Sequence, residues 1–168
     1  MNFRWMALLC FVPLQASALA ADLLVPSQYP TIQSAVQAAQ DGDRVLIAAG
    51  DYTEVVNLLG KSIELAPAVA AGEVNLRAPA SQRALRFVSG ESSACRVRGL
   101  RLVGSLPAGT LGGGIEVMGA SPRIEGCIVE GVISSPSAGT WGGALDVISG
   151  APVMKSTIFR HNRVSASF

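Results

Sequence analysis

An internal repeat of about thirty residues limits what this chain can fold into more than any other feature. Gly113-Gly114-Ile115-Glu116-Val117 aligns with Gly143-Ala144-Leu145-Asp146-Val147 at an offset of 30. The same offset carries Ser121-Pro122 onto Ala151-Pro152, Cys127-Ile128-Val129 onto Thr157-Ile158-Phe159, and Gly131 onto His161. A weaker copy precedes them. Val97-Arg98-Gly99-Leu100-Arg101-Leu102 matches Ile124-Glu125-Gly126-Cys127-Ile128-Val129 at an offset of 27. The slip of three falls in a Gly- and Ser-rich stretch, where a loop can absorb it. A repeat of this length is the mark of a solenoid, whose single coil cannot bury its own inner face and must stack on a neighbour.

Within each repeat the apolar residues alternate. Val45-Leu46-Ile47, Ile63-Glu64-Leu65, Val74-Asn75-Leu76, Leu85-Arg86-Phe87, Ile115-Glu116-Val117 and Leu145-Asp146-Val147 each put two apolar side chains on one face and the middle residue on the other. Gly, Pro and Ser separate the runs. Three short strands per repeat make one coil of a parallel β-helix, each strand stacking on its equivalent at about 4.8 Å. The predicted inward stacks are Leu85/Ile115/Leu145, Phe87/Val117/Val147, Leu100/Cys127/Thr157 and Leu102/Val129/Phe159. Gly99, Gly126 and Ser156 fall at one sharp bend between the second and third strands, where a left-handed backbone favours glycine.

Residues 29–43 differ. Thr31 suits a helix N-cap, and Ile32, Ala35, Val36 and Ala39 make one apolar stripe. Asp41-Gly42-Asp43 ends the helix. The expected fold is therefore all-β, a parallel β-helix with a short N-terminal capping helix. Pro67 to Gly72, Pro107 to Gly112 and Ser134 to Thr140 resist the repeat and read as loops leaving the coil, which in solenoids often build a binding surface.

The first twenty residues read as a secretory signal: Arg4, an apolar run from Trp5 to Leu14 too short to cross a bilayer, then Ala18-Leu19-Ala20 before a cleavage point at Ala21. The expected organisation is 1–20 signal peptide and 21–168 β-helix domain. Export makes the expected location secreted, periplasmic or the cell surface, with no membrane span in the mature chain. The chain stops at Phe168 just after a strand, with no polar cap. This gives the expectation of a truncated chain, or of one that caps itself by association.

Without Arg4, 12 of the 13 basic residues remain against 12 acidic ones. That balance offers nothing to nucleic acid or anionic lipid. Aromatic residues are only 5% of the chain, so aliphatic side chains must supply the core. Cys95 and Cys127 remain after the leader. An oxidising compartment permits a disulfide between them, but two small buried apolar residues is the simpler reading.

The opening segment, Tyr29-Pro30-Thr31-Ile32-Gln33-Ser34-Ala35-Val36-Gln37-Ala38-Ala39, then Gly42-Asp43-Arg44-Val45 and Gly50-Asp51-Tyr52-Thr53-Glu54, resembles the start of proteins of the pectin-lyase-like superfamily. Gly112-Gly113-Gly114-Ile115 through Pro122-Arg123-Ile124-Glu125-Gly126-Cys127 is similar to the coil repeat of bacterial surface proteins in that group. The resemblance covers nearly all of residues 25–165. It implies a right-handed parallel β-helix with a helix plugging its N-terminal end. It leaves the activity open, because the superfamily holds esterases, lyases, hydrolases and non-catalytic adhesins. Pectin methylesterases share Gly50-x-Tyr52-x-Glu54, but their later Asp, Arg and Gln motifs are missing, and Gln82 is the one Gln after residue 40. The Asp pair and Gly-His-Gly of polygalacturonases are missing too.

Four candidates for chemistry remain. Tyr52 and Glu54 read as a sugar contact with Tyr52 as the stacking ring, or as the turn into the first coil with Tyr52 packed on the helix. Stacking places Arg86, Glu116 and Asp146 side by side on one outer face. Like charges at adjacent rungs of a sheet repel. Glu116 and Asp146 are therefore either solvated carboxylates beside Arg86 or a weak calcium site that bridges an acidic polysaccharide. A second outward ladder, Arg98, Glu125 and Lys155, suits simple cross-strand pairing. His161, the one histidine, reads as a general base or metal ligand, or, with no partner visible in the sequence, as a surface turn residue beside Asn162. No nucleophile elbow, metal-spaced Cys/His cluster or phosphate loop is present.

The expected function is an exported scaffold that binds a polysaccharide or a cell-surface partner on its lateral face or loops. The alternatives are a polysaccharide lyase or esterase whose catalytic residues lie elsewhere, and a purely structural adhesin segment.

Overall fold

A computed structural model of the chain describes residues 19–70, 72–79, 82–104, 114–134 and 143–164. The opening rung holds β1 (Asp22–Val25) and α1 (Ile32–Ala38), and β2 (Arg44–Ile47), β3 (Gly50–Thr53) and β4 (Val56–Asn57) make the rung stacked on it. The next adds β5 (Glu64–Pro67), β6 (Val74–Arg77) and β7 (Leu85–Phe87). Then come β8 (Arg96–Arg98), β9 (Arg101–Val103) and β10 (Ile115–Ala120). The following rung has β11 (Arg123–Glu125), β12 (Ile128–Glu130), β13 (Ile133–Ser134) and β14 (Leu145–Gly150). The last described strands are β15 (Val153–Lys155), β16 (Ile158–Arg160) and β17 (Arg163–Val164).

These strands stack as a parallel β-solenoid. One sheet runs β1-β2-β5-β8-β11-β15, a second β4-β7-β10-β14 and a third β3-β6-β9-β12-β16, with β13 and β17 paired beside them. Every pairing is parallel, with Ile115 opposite Leu145, Val129 opposite Phe159 and Val97 opposite Ile124. The register follows the sequence repeat residue for residue. Two register shifts between β10 and β14 interrupt it: Met118 lies opposite Ser149 rather than Ile148, and Ala120 then returns to the repeat opposite Gly150.

The inward stacks form the core. Leu85, Ile115, Phe87, Val117, Leu100, Cys127, Leu102 and Val129 are all fully buried. Their equivalents in the last described rung are not: Val147 and Phe159 are each 42% exposed, because no described rung stacks above them. The bend glycines behave as expected. Gly99, Gly126 and Ser156 have φ of 68°, 60° and 52°, and Gly131 and His161 share a second left-handed corner at 64° and 54°.

Helix α1 occupies the rung that precedes β3 and β4. Ile32, Ala35 and Val36 are buried beneath it, and Thr31 forms a capping box with Ser34. Residues of the next rung hold both helix ends. The Glu54 carboxylate accepts from the Ile32 and Gln33 amides at 3.0 and 2.9 Å. The Lys61 ammonium donates to the carbonyls of Val36, Gln37 and Ala39 at 2.7–2.8 Å. An anion at the N-terminus and a cation at the C-terminus both complement the helix dipole. The Gln33 side chain accepts from the Asn57 amide and donates to its carbonyl, at 2.7 and 3.2 Å, and so covers the open edge of β4.

Three expectations need correction. Gly50–Thr53 is strand β3 rather than a turn, and Pro67 closes β5 rather than opening a loop. Ser134 belongs to β13, not to a loop. The Pro107–Gly112 segment, residues 135–140 and residues 1–18, most of the expected signal peptide, lie outside the described residues. Among those described, no helix is long and apolar enough to cross a membrane.

Candidate binding face

The outer face of the six-stranded sheet presents two columns of side chains. One reads Asp22, Arg44, Glu64, Arg96, Arg123, Val153; the other reads Leu24, Leu46, Ala66, Arg98, Glu125, Lys155. The second column runs along an open groove of about 680 Å³. The groove is lined by Leu46, Ala66, Pro67, Ala68 and Ala70 and by the bend residues Gly99, Gly126 and Ser156, and Arg44, Arg98, Glu125 and Lys155 supply charge. The ladder Arg98, Glu125, Lys155 stacks in the expected register. Its pairing differs. Arg98 turns back to Glu64 at 2.7 Å, and Glu125 and Lys155 make no ion pair among the described residues. Among the described residues, the groove therefore keeps an unpaired carboxylate and an unpaired ammonium on adjacent rungs.

Glu116 and Asp146 do stand side by side, with Arg86 on the other flank of Glu116. Each carboxylate is held by its own arginine. Arg86 donates to Glu116 at 2.6 Å. Arg83 is 4% exposed and reaches across two rungs to Asp146 at 3.0 Å and to the Gly143 carbonyl at 2.8 Å. Sequence spacing could not reveal Arg83, because it precedes its strand and is not part of the ladder. Among the described residues no group of three or more His, Cys, Asp or Glu is placed to hold a metal ion. A cation at Glu116 and Asp146 would have to displace two guanidinium groups.

Tyr52 and Glu54 lie on and just after β3, away from the groove. Tyr52 is half-buried against the core, and its hydroxyl donates to the Ala48 carbonyl at 3.0 Å. The Glu54 carboxylate is engaged with the helix. His161 is exposed at its corner. Asn162 does more than turn the chain: it accepts from the Val132 amide at 3.0 Å and donates to the Val129 carbonyl at 2.9 Å, tying two rungs together.

Cys95 and Cys127 are free and buried, with no disulfide between them. Burial, then the nearby Glu91 charge, pushes the Cys95 thiol up to about 12; burial pushes Cys127 up to about 11. Neither is a nucleophile at neutral pH. Glu91 itself is 1% exposed, and its carboxylate accepts from the Gly60 and Ser89 amides at 2.9 and 3.0 Å. It fastens a corner of the coil. Glu130 lies between Arg101 and Arg160. The Arg160 hydrogen bond, followed by that of Arg101, holds its carboxyl below the ordinary range despite burial.

No known family model matches the sequence, and neither a curated protein nor a solved structure matches it. The parallel β-solenoid thus stands on the register and burial of this chain alone.

Proposed function

We propose that the chain is an exported scaffold of the pectin-lyase-like kind that holds a polysaccharide strand along the outer face of its six-stranded sheet. The observation that carries this reading is the open groove of about 680 Å³, lined by Leu46, Pro67 and Ala68 and by Glu125 and Lys155, which make no ion pair among the described residues. A volume in this range suits a small-molecule or oligosaccharide site. Flat aliphatic residues can take the C–H face of a sugar ring, while donor and acceptor groups take its hydroxyls. Arg44 and Arg98 are paired with Asp22 and Glu64, which leaves Lys155 as the free donor and Glu125 as the free acceptor, among the described residues of the groove, for a glycan's polar groups. The rungs repeat at about 4.8 Å, close to the rise of a β-linked sugar residue, so a strand lying along the solenoid axis meets equivalent contacts in succession. Export is supported by Arg4, the apolar run and Ala18-Leu19-Ala20. Kinship with the superfamily is supported by the helix at the N-terminal end and by the coil sequence.

Calorimetric titration with polyuronate oligosaccharides, paired with an assay for released product, tests the proposal. Saturable binding that weakens in Lys155→Gln, with no product, is the expected result. Binding unchanged by Lys155→Gln and Arg98→Gln together would remove the groove from consideration. Product release would assign turnover instead.

A further inference from the structure

Two rungs in the described strands place like charges directly opposite each other. The first is Glu116 beside Asp146, where Arg86 and Arg83 supply the missing positive charge. The second is Arg96 beside Arg123 in the six-stranded sheet. There the described residues supply nothing comparable. Neither arginine makes an ion pair among the described residues. Glu64, opposite Arg96, is committed to Arg98 at 2.7 Å. Glu125 shares the outer face of β11 with Arg123 but lies beyond ion-pair reach of it, and the next rung offers Val153. Arg123 also keeps a buried Nε with no hydrogen-bond partner. Side-by-side cations destabilise a sheet, and a buried donor without an acceptor costs more. Arg77, by contrast, reaches the Gly104 carbonyl at 2.8 Å.

We propose that Arg96 and Arg123 form a binding site for a tetrahedral oxyanion, a sulfate or phosphate group. Two guanidinium groups one rung apart, about 4.8 Å at the backbone, can bracket one such group with paired N–H···O bonds. The site lies in the column beside the groove and does not depend on a glycan occupying that groove. The group is either a free ion or an ester on a larger molecule.

Calorimetry and thermal unfolding of the intact chain test this, with inorganic sulfate and phosphate against chloride at equal ionic strength. The wild type should bind saturably, and Arg96→Gln should weaken binding by about tenfold or more. Arg163→Gln, an exposed arginine elsewhere, should leave it unchanged. Arg96→Glu should raise the melting temperature without sulfate, since it supplies the missing counter-charge, and should abolish the response to sulfate. The general stabilisation that sulfate gives any protein does not saturate and would be equal in all variants. Saturable binding undiminished in both Arg96→Gln and Arg123→Gln, or no saturable binding at all, overturns the site. A sulfated oligosaccharide that binds more tightly than free sulfate places the group on a glycan; equal affinity makes the ligand the free ion. Sulfate binding without polyuronate binding leaves this site standing and removes the groove reading, and the reverse result separates them the other way.

Discussion

At position 126 the repeat demands a left-handed backbone, and nothing lies within 4 Å of where a side-chain Cβ would sit. Substitution there therefore isolates backbone conformation from packing. Gly126→Ala should cost about 1 kcal/mol in chemical unfolding, the ordinary penalty for a non-glycine residue in that region. Ser156 holds the same corner at φ 52°, so Ser156→Gly should gain a fraction of that amount. If the two changes moved stability in the same direction, the corners would not be equivalent. These positions were legible in the sequence because glycine recurs at a fixed offset. Arg83 was not, since its partner Asp146 lies 63 residues away and belongs to no pattern around Arg83 itself. Its burial makes it the more sensitive arginine of that face. Arg83→Met should cost about 3 kcal/mol by leaving Asp146 without its charge partner, whereas Arg86→Met, more than a third exposed, should cost about 1 kcal/mol or less.

At the scale of one element, the seven residues of α1 are too few to hold a helix in isolation. The sequence identifies its start and its apolar stripe. What holds its two ends is supplied from the following rung, by Glu54 and Lys61. Glu54→Gln and Lys61→Met should each cost about 1 kcal/mol, measured by urea unfolding, and should also increase amide exchange within residues 32–38. The Gly50-x-Tyr52-x-Glu54 pattern, with an aromatic ring and an acid, admits either a sugar contact or a packed entry to the first coil. In the fold both groups have partners within the chain: Tyr52 with the Ala48 carbonyl, Glu54 with the helix amides. A motif read in isolation cannot distinguish a group that faces a ligand from one that completes a backbone.

For the molecule as a whole, stability should be graded along the solenoid axis. The stack Leu102, Val129, Phe159 passes from fully buried to 42% exposed. Leu102→Ala should cost about 3 kcal/mol and Phe159→Ala less than half of that, despite the larger side chain removed. The two carboxyls held low, Glu130 by Arg160 and Arg101 and Asp43 by the Gln40 and Ala21 amides, set the acid response. A folded-state value below the unfolded one adds stability that is fully present above the unfolded carboxylate range. That stability is lost as the pH falls through the folded value. Unfolding free energy should therefore decline below about pH 4, and Glu130→Gln should flatten the decline. An unchanged slope would mean that Glu130 gains nothing from its arginines on folding.

The sequence alone determined the repeat, the three strand positions per rung, the inward stacks, the corner residues and the helix that precedes them. Each is a periodic or local property, and a solenoid turns period directly into contact. Only the tertiary structure decided which charges meet. Long arginine side chains reach diagonally and across rungs, so Arg98 finds Glu64 instead of Glu125, Arg83 finds Asp146 two rungs away, and Arg96 and Arg123 are left facing each other. Register fixes where a backbone sits; the reach of a flexible side chain fixes its partner, and that reach is not written in spacing.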